Sequence, residues 1–90
     1  TTGTLTTLVG ALAGDALTTG NLNAAFGYNA LSADTKGDRA VAIGPGTLLS
    51  QNFTTNTDNY NTAVGYNAGS LITTGTENVA VGADSGDATL

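Results

Sequence analysis

Carboxylates are the only side chains in this sequence spaced to work as an acid–base pair. Asp34 stands four residues from Asp38, and Asp84 three from Asp87. Paired carboxylates can hydrolyse glycosidic bonds, and clustered ones supply part of the oxygen shell that calcium takes. Neither pair recurs in register elsewhere in the chain. Asp is also a standard turn residue, so both pairs read as solvated turn carboxylates. Ser and Thr abound, but there is no His to act as their general base. Without Cys or His there are no thiolate or imidazole ligands for a transition metal, and no disulfides. Gly44-Pro45-Gly46 lacks the Lys and the following helix of a phosphate loop and reads as a tight corner. No enzyme, no catalytic or metal-binding residue and no cofactor is expected.

Charge narrows the partners. Lys36 and Arg39 face seven acidic residues, for a net charge of -5. Phosphate contacts need clustered Lys and Arg, so nucleic acid is not an expected partner. No basic segment precedes an apolar one near Thr1, and no apolar run approaches the roughly 20 residues that span a bilayer. Membrane insertion is therefore not expected. The chain starts without Met, and the expectation is a slice of something longer.

Ninety residues make a single domain in which burial is marginal. The chain is 40% hydrophobic, mostly Ala, Leu and Val, with two Phe, three Tyr and no Trp or Met. Such side chains fill a narrow space. With disulfides and metals removed, oligomerisation is the remaining way to support a thin core.

Internal repeats supply the architecture. Five segments align without a gap: TTGTLTTLVG (1–10), TTGNLNAAFG (18–27), TKGDRAVAIG (35–44), NTDNYNTAVG (56–65) and TTGTENVAVG (73–82). Their closing glycines Gly10, Gly27, Gly44, Gly65 and Gly82 lie 17, 17, 21 and 17 residues apart. A turn residue precedes each by seven: Gly3, Gly20, Gly37, Asp58 and Gly75. A second likeness, of period 38, relates residues 27–46 to 65–84, with ten of twenty positions identical.

Each segment carries a strand before its closing glycine. Val9, Phe26, Ile43, Val64 and Val81 stand one residue before it, and Leu8, Ala25, Ala42, Ala63 and Ala80 two before. Neighbouring strand residues face opposite ways, so one face carries bulky apolar groups and the other mostly Ala. Which of them lines the interior is open at this point. A strand apolar on both sides is buried on both sides, which a single thin coil cannot achieve. After the glycine comes a second arm (11–17, 28–34, 66–72, 83–89), read as a strand or bent extended arm in preference to a helical turn. Asn23, Asn61 and Asn78 share one position and are expected to form an amide ladder along the stack. Thr18, Thr35 and Thr73 form a parallel column at the turn.

The predicted fold is all-β: a β-solenoid or β-roll of five coils of about 17 residues, each with two short strands and two turns. The coils run approximately 1–17, 18–34, 35–55, 56–72 and 73–90 within one repeat domain. The whole is expected to assemble as an intertwined or side-by-side homotrimer.

The phrase AVAIG (40–44), with NTAVG (61–65) and NVAVG (78–82), resembles the YadA-like head repeat of trimeric autotransporter adhesins. The longer NTAVGYNAGSLITTGTENVAVG (61–82) is similar to repeats of phage tail fibres and related virion appendages. The resemblance covers nearly the whole chain and is specific as a series. It implies a β-roll or β-helical shaft wound as three identical chains, outside the cell or on a virion, with no catalytic residues. A period of 17, longer than the adhesin head's usual repeat, and the insertion in the third repeat are departures from that pattern.

The insertion is where regularity breaks, and it places the four extra residues in 47–57. Loops on rigid scaffolds often carry recognition. Gln51, Asn52 and Phe53, with Tyr60 nearby, are candidates to hydrogen-bond and stack on a host glycan or a receptor protein. The alternative is a neutral loop, or one that packs Phe53 on the adjacent chain. Asn52-Phe53-Thr54 matches the N-glycosylation pattern, accidental in a bacterial or phage protein. Tyr28 and Tyr66 read as surface aromatics for binding or, more in keeping with a repeated position, as packing groups. The expected function is thus a structural fibre segment, shaft or head, with 47–57 as its candidate receptor-binding loop. An ice- or surface-binding solenoid, from the Thr column, is the alternative, and the non-catalytic shaft of a depolymerase tailspike a third.

Overall fold

The periodic strand phrases become rungs of one parallel sheet. A computed structural model of the protein describes residues 5–86. It is an all-β solenoid of about four turns, without helix among the described residues. The main sheet contains β1 (Thr7–Val9), β2 (Ala24–Phe26), β4 (Val41–Ile43), β6 (Thr62–Val64) and β7 (Val79–Val81), side by side in chain order and all parallel. β3 (Gly37–Asp38) and β5 (Thr57–Asp58) form a separate parallel pair.

The register is the one that the aligned glycines dictate. Leu8 pairs with Ala25, Ala25 with Ala42, Ala42 with Ala63, and Ala63 with Ala80. Every closing glycine is left-handed, with φ between 119° and 131°. A Cβ on Gly27 would lie 2.7 Å from the carbonyl carbon of Gly44 in the next coil. Backbone therefore stacks on backbone, and only a residue without a side chain permits both the φ and the approach. From Gly27 onward each glycine N–H in this column donates to the coil before it, as Gly44 N does to Phe26 O at 2.7 Å and Gly65 N to Ile43 O at 2.9 Å.

Strand and face now separate. Ala25, Ala42, Ala63 and Ala80 point inward and are buried, while Val9, Phe26, Ile43 and Val81 point outward, with Val64 half-buried. The narrow interior takes methyl groups; the bulky column lies outside it.

The second arm is bent, but it is not a strand. In each of the five repeats, the residue two past the closing glycine is left-handed (Leu12, Asn29, Gly46, Asn67, Asp84), as is the one four past (Gly14, Leu31, Leu48, Gly69, Gly86). Alternating handedness breaks the pleat that a strand needs. The arm still ladders from coil to coil: Gly14 N donates to Ala30 O, Leu31 N to Thr47 O, Leu48 N to Ala68 O and Gly69 N to Ser85 O, at 2.8–3.1 Å. A further left-handed position precedes the strand at Leu5, Leu22, Arg39, Tyr60 and Glu77, with φ of 54–65°. Such a conformation costs a non-glycine residue about 1–2 kcal/mol. The stack offsets it by bonding adjacent coils at the same place, Arg39 N to Asn21 O and Glu77 N to Asn59 O.

The four extra residues of the third repeat are divided. Gly37 faces Thr57 and Asp38 faces Asp58, twenty residues on, whereas Ile43 faces Val64, twenty-one on. One extra residue therefore lies between Asp58 and Thr62, outside the expected 47–57 span. Asn59 fills the widened place with its buried side chain. Its Nδ2 donates to Asp38 O at 2.8 Å, and its Oδ1 accepts from Asn61 N at 2.9 Å. The end coils' outermost residues, including Gly3 and Asp87, lie outside the described segment.

Candidate functional site

Inside the coil, one position decides whether the core is apolar or polar. Seven residues past the closing glycines stand Leu17, Asp34, Gln51 and Ile72, all buried. Where this residue is aliphatic, the residue three before it is Gly: Gly14 before Leu17 and Gly69 before Ile72. Where it is polar, that residue is Leu: Leu31 before Asp34 and Leu48 before Gln51, both buried. A Cβ on Gly69 would meet Leu48 Cδ2 at 3.1 Å and Ile72 Cδ1 at 3.2 Å, so the two positions share one volume. Leu8, which replaces Ala at the first rung, leans over Gly14 into the same space.

The polar members join into a seam. Asp34 Oδ1 accepts from Gly37 N at 3.1 Å and Phe53 N at 3.0 Å, and Asp34 Oδ2 accepts from Gln51 Nε2 at 2.7 Å. Gln51 Oε1 in turn accepts from Asn61 Nδ2 at 2.8 Å. Asp34 is thus buried rather than solvated. Asp38, half-buried, accepts from Asn21 N at 2.7 Å through Oδ1. Asp34 thus holds two backbone N–H groups and a side-chain amide, and Asp38 a backbone N–H.

The expected Asn ladder takes a different form. Ala40 occupies the Asn position between Asn23 and Asn61. Each amide grips the backbone of the following coil instead. Asn23 Oδ1 accepts from Ala40 N and its Nδ2 donates to Gly37 O, both at 2.8 Å. Asn61 repeats the pattern one insertion later, accepting from Asn78 N and donating to Gly75 O, both at 2.9 Å. The Thr column is similarly occupied: Thr18 Oγ1 donates to Thr35 O at 3.2 Å, and Thr35 Oγ1 to Phe53 O at 3.1 Å.

The four candidate receptor contacts do not form one surface. Gln51 and Phe53 are buried, with Gln51 committed to the polar seam. Asn52 and Tyr60 are exposed, and Asn52 Oδ1 accepts from Thr35 Oγ1 at 3.3 Å. The exposed part of the insertion, 54–56, folds back over the stack. Asn56 Nδ2 donates to Thr19 O at 2.9 Å, and Asn56 Oδ1 accepts from Thr19 Oγ1 at 3.1 Å. Beside it, Arg39 Nε pairs with Asp58 Oδ1 at 2.8 Å, both half exposed. The insertion is latched across two earlier coils.

The larger open feature is the outer face of the main sheet. Val9, Phe26, Ile43 and Val81 present between 39% (Phe26) and 66% (Val81) of their surface, and Val79 beside Val81 presents more. No charged residue stands at the outward positions of these five strands, which read Thr7/Val9, Ala24/Phe26, Val41/Ile43, Thr62/Val64 and Val79/Val81. An exposed face with bulky apolar groups and no charge is a candidate interaction surface. The signal was already present in the alternation of the strand phrases; what sequence lacked was the direction of the alternation. Among the described residues, no group of His, Cys, Asp or Glu is arranged to hold a metal ion, and no helix is long and apolar enough to cross a membrane. No family model matches this chain, and comparison with curated proteins and with solved structures gave no significant match.

Proposed function

We propose that this chain is a non-catalytic structural segment of a surface fibre, the shaft or head of a phage tail fibre or of a trimeric adhesin, working outside the cell or on a virion. In this reading its five coils assemble with copies of the same chain into a homotrimer through the outer face of the main sheet. One observation carries it: the bulky column Val9, Phe26, Ile43, Val64 and Val81 lies outside the coil, whose interior is lined at the same rungs by Leu8 and four alanines. Copies can meet there without bringing charge against charge, although each chain carries a net charge of -5. Parallel rungs bonded coil to coil supply the stiffness that a shaft requires.

Light scattering in solution tests assembly. The unaltered chain is expected at three times its chain mass, and Ile43→Asp with Val64→Asp at the mass of one chain. A folded, monodisperse monomer of the unaltered chain would sink the proposal. The ice-binding alternative draws less support, because the Thr18 and Thr35 hydroxyls donate to neighbouring carbonyls and are not arrayed toward water.

A further inference from the structure

Beyond the closing glycine the chain leaves the sheet, and the residue at that corner is Ala11, Tyr28, Pro45, Tyr66 and Ala83 in successive repeats. Tyr28, Pro45 and Tyr66 belong to one backbone ladder: Gly46 N donates to Tyr28 O, and Asn67 N to Pro45 O, each at 2.9 Å. The two tyrosines are therefore two coil rises apart, roughly 10 Å. They are open to solvent, at 56% and 58% of their surface. The coil between them offers only the Pro45 ring and a glycine. A Cβ on Gly46 would collide with Asn67 Oδ1, so the Asn67 carboxamide lies across that glycine. Each tyrosine is followed by a left-handed Asn, with φ of 61° at Asn29 and 56° at Asn67. Neither carboxamide has a hydrogen-bond partner among the described residues.

We infer that Tyr28 and Tyr66, with Asn29 and Asn67, form a binding strip for a neutral, linear glycan running along the solenoid axis. The rings supply apolar platforms with a polar tip, the combination that suits the C–H faces and hydroxyls of a sugar. The carboxamides supply both a donor and an acceptor beside each ring. In a β-1,4-linked chain the same sugar face returns at every second residue, a repeat close to two coil rises. Residues two apart can then rest on the two rings, with the intervening one over Pro45. Charge selects against acidic glycans: Asp84 follows on the same ladder, its N–H donating to Tyr66 O at 2.8 Å, and the strip itself holds no basic residue.

This inference deepens the fibre reading and rests on it for its biological use, since it names the ligand class that such a segment would meet. Cellohexaose is the probe, hexagalacturonic acid its acidic counterpart, and titration calorimetry the measurement. Tyr28→Ala, Tyr66→Ala and the double variant are run alongside the unaltered chain, with molar mass determined for each. Cellohexaose is expected to bind the unaltered chain, hexagalacturonic acid not to bind. Each single variant should lose roughly ten-fold in affinity, the order for truncating an aromatic anchor, and Tyr28→Trp should retain binding. The inference is overturned if cellohexaose does not bind, if the acidic oligomer binds equally, or if the double variant binds as well as the unaltered chain. It is also overturned if Tyr→Ala breaks up the assembly, which would assign the rings to contacts between copies. A monomeric but glycan-binding chain would remove the trimer and leave the strip standing.

Discussion

The second and third coils enclose the polar pair Asp34 and Gln51 where the first and fourth enclose Leu17 and Ile72. The arm past the closing glycine has left-handed residues at the same two places in all four, two and four past the glycine. What differs is how one volume is shared. An aliphatic side chain is balanced by Gly14 or Gly69, a polar one by Leu31 or Leu48. A stacked coil thus tolerates polarity in its core if every donor and acceptor is matched and the displaced apolar volume returns three residues away. The polar variant also does something that the apolar one does not. Through Phe53 N and Gln51 it fixes the entry to the insertion, and through Asn61 it reaches the coil beyond.

The comparison breaks most readily at Asp34. Asp34→Ala strips the acceptor from Gly37 N, Phe53 N and Gln51 Nε2 inside the core. Each buried unsatisfied group costs about 1–3 kcal/mol, so a combined loss of about 3–5 kcal/mol is expected. Urea unfolding at fixed protein concentration measures it; a loss below about 1 kcal/mol would mean that the seam is not structural. Gly69→Leu comes next. It converts an apolar coil to the Leu-bearing pattern while Ile72 still fills the space, at about 2–3 kcal/mol by overpacking. A double-mutant cycle with Ile72→Ala should show favourable coupling of about 1 kcal/mol or more. Additive losses there would refute a shared volume.

Asn23→Ala should cost about 1–3 kcal/mol, since it leaves Ala40 N and Gly37 O without partners. Amide hydrogen exchange at Ala40 should accelerate with it. The smallest effect belongs to the insertion's outer rim. Arg39→Ala removes an exposed ion pair and is expected to change stability by less than about 1 kcal/mol, an effect that vanishes in high salt.

Much of this was readable before any coordinates. The spacing of Gly10, Gly27, Gly44, Gly65 and Gly82 gave the rungs and their register, because a column of glycines is what close backbone stacking demands. The correlated exchange of Gly14/Leu17 and Gly69/Ile72 for Leu31/Asp34 and Leu48/Gln51 is also a sequence signal, visible once positions three apart are compared. The candidate receptor loop was less legible. Gln51 stands at the periodic place seven past its closing glycine, which turns it inward, whereas Phe53 sits in the irregular segment with no period to give its direction; the structure buries both. Sequence leaves the second arm open between a strand and a bent arm, because Leu and Asn residues at left-handed φ leave no mark in composition.

Sequence alone determined the repeat, its strand phrases and which repeat is interrupted, since all three follow from periodic glycine and alternating side-chain size. Tertiary structure decided which side of each strand is the inside, because only the closed coil shows that the space there is filled by a methyl group at four rungs and by Leu8 where Gly14 makes room. It also decided the fate of Asp34, Gln51 and the insertion, whose partners lie one or two coils away and meet only when the chain is wound.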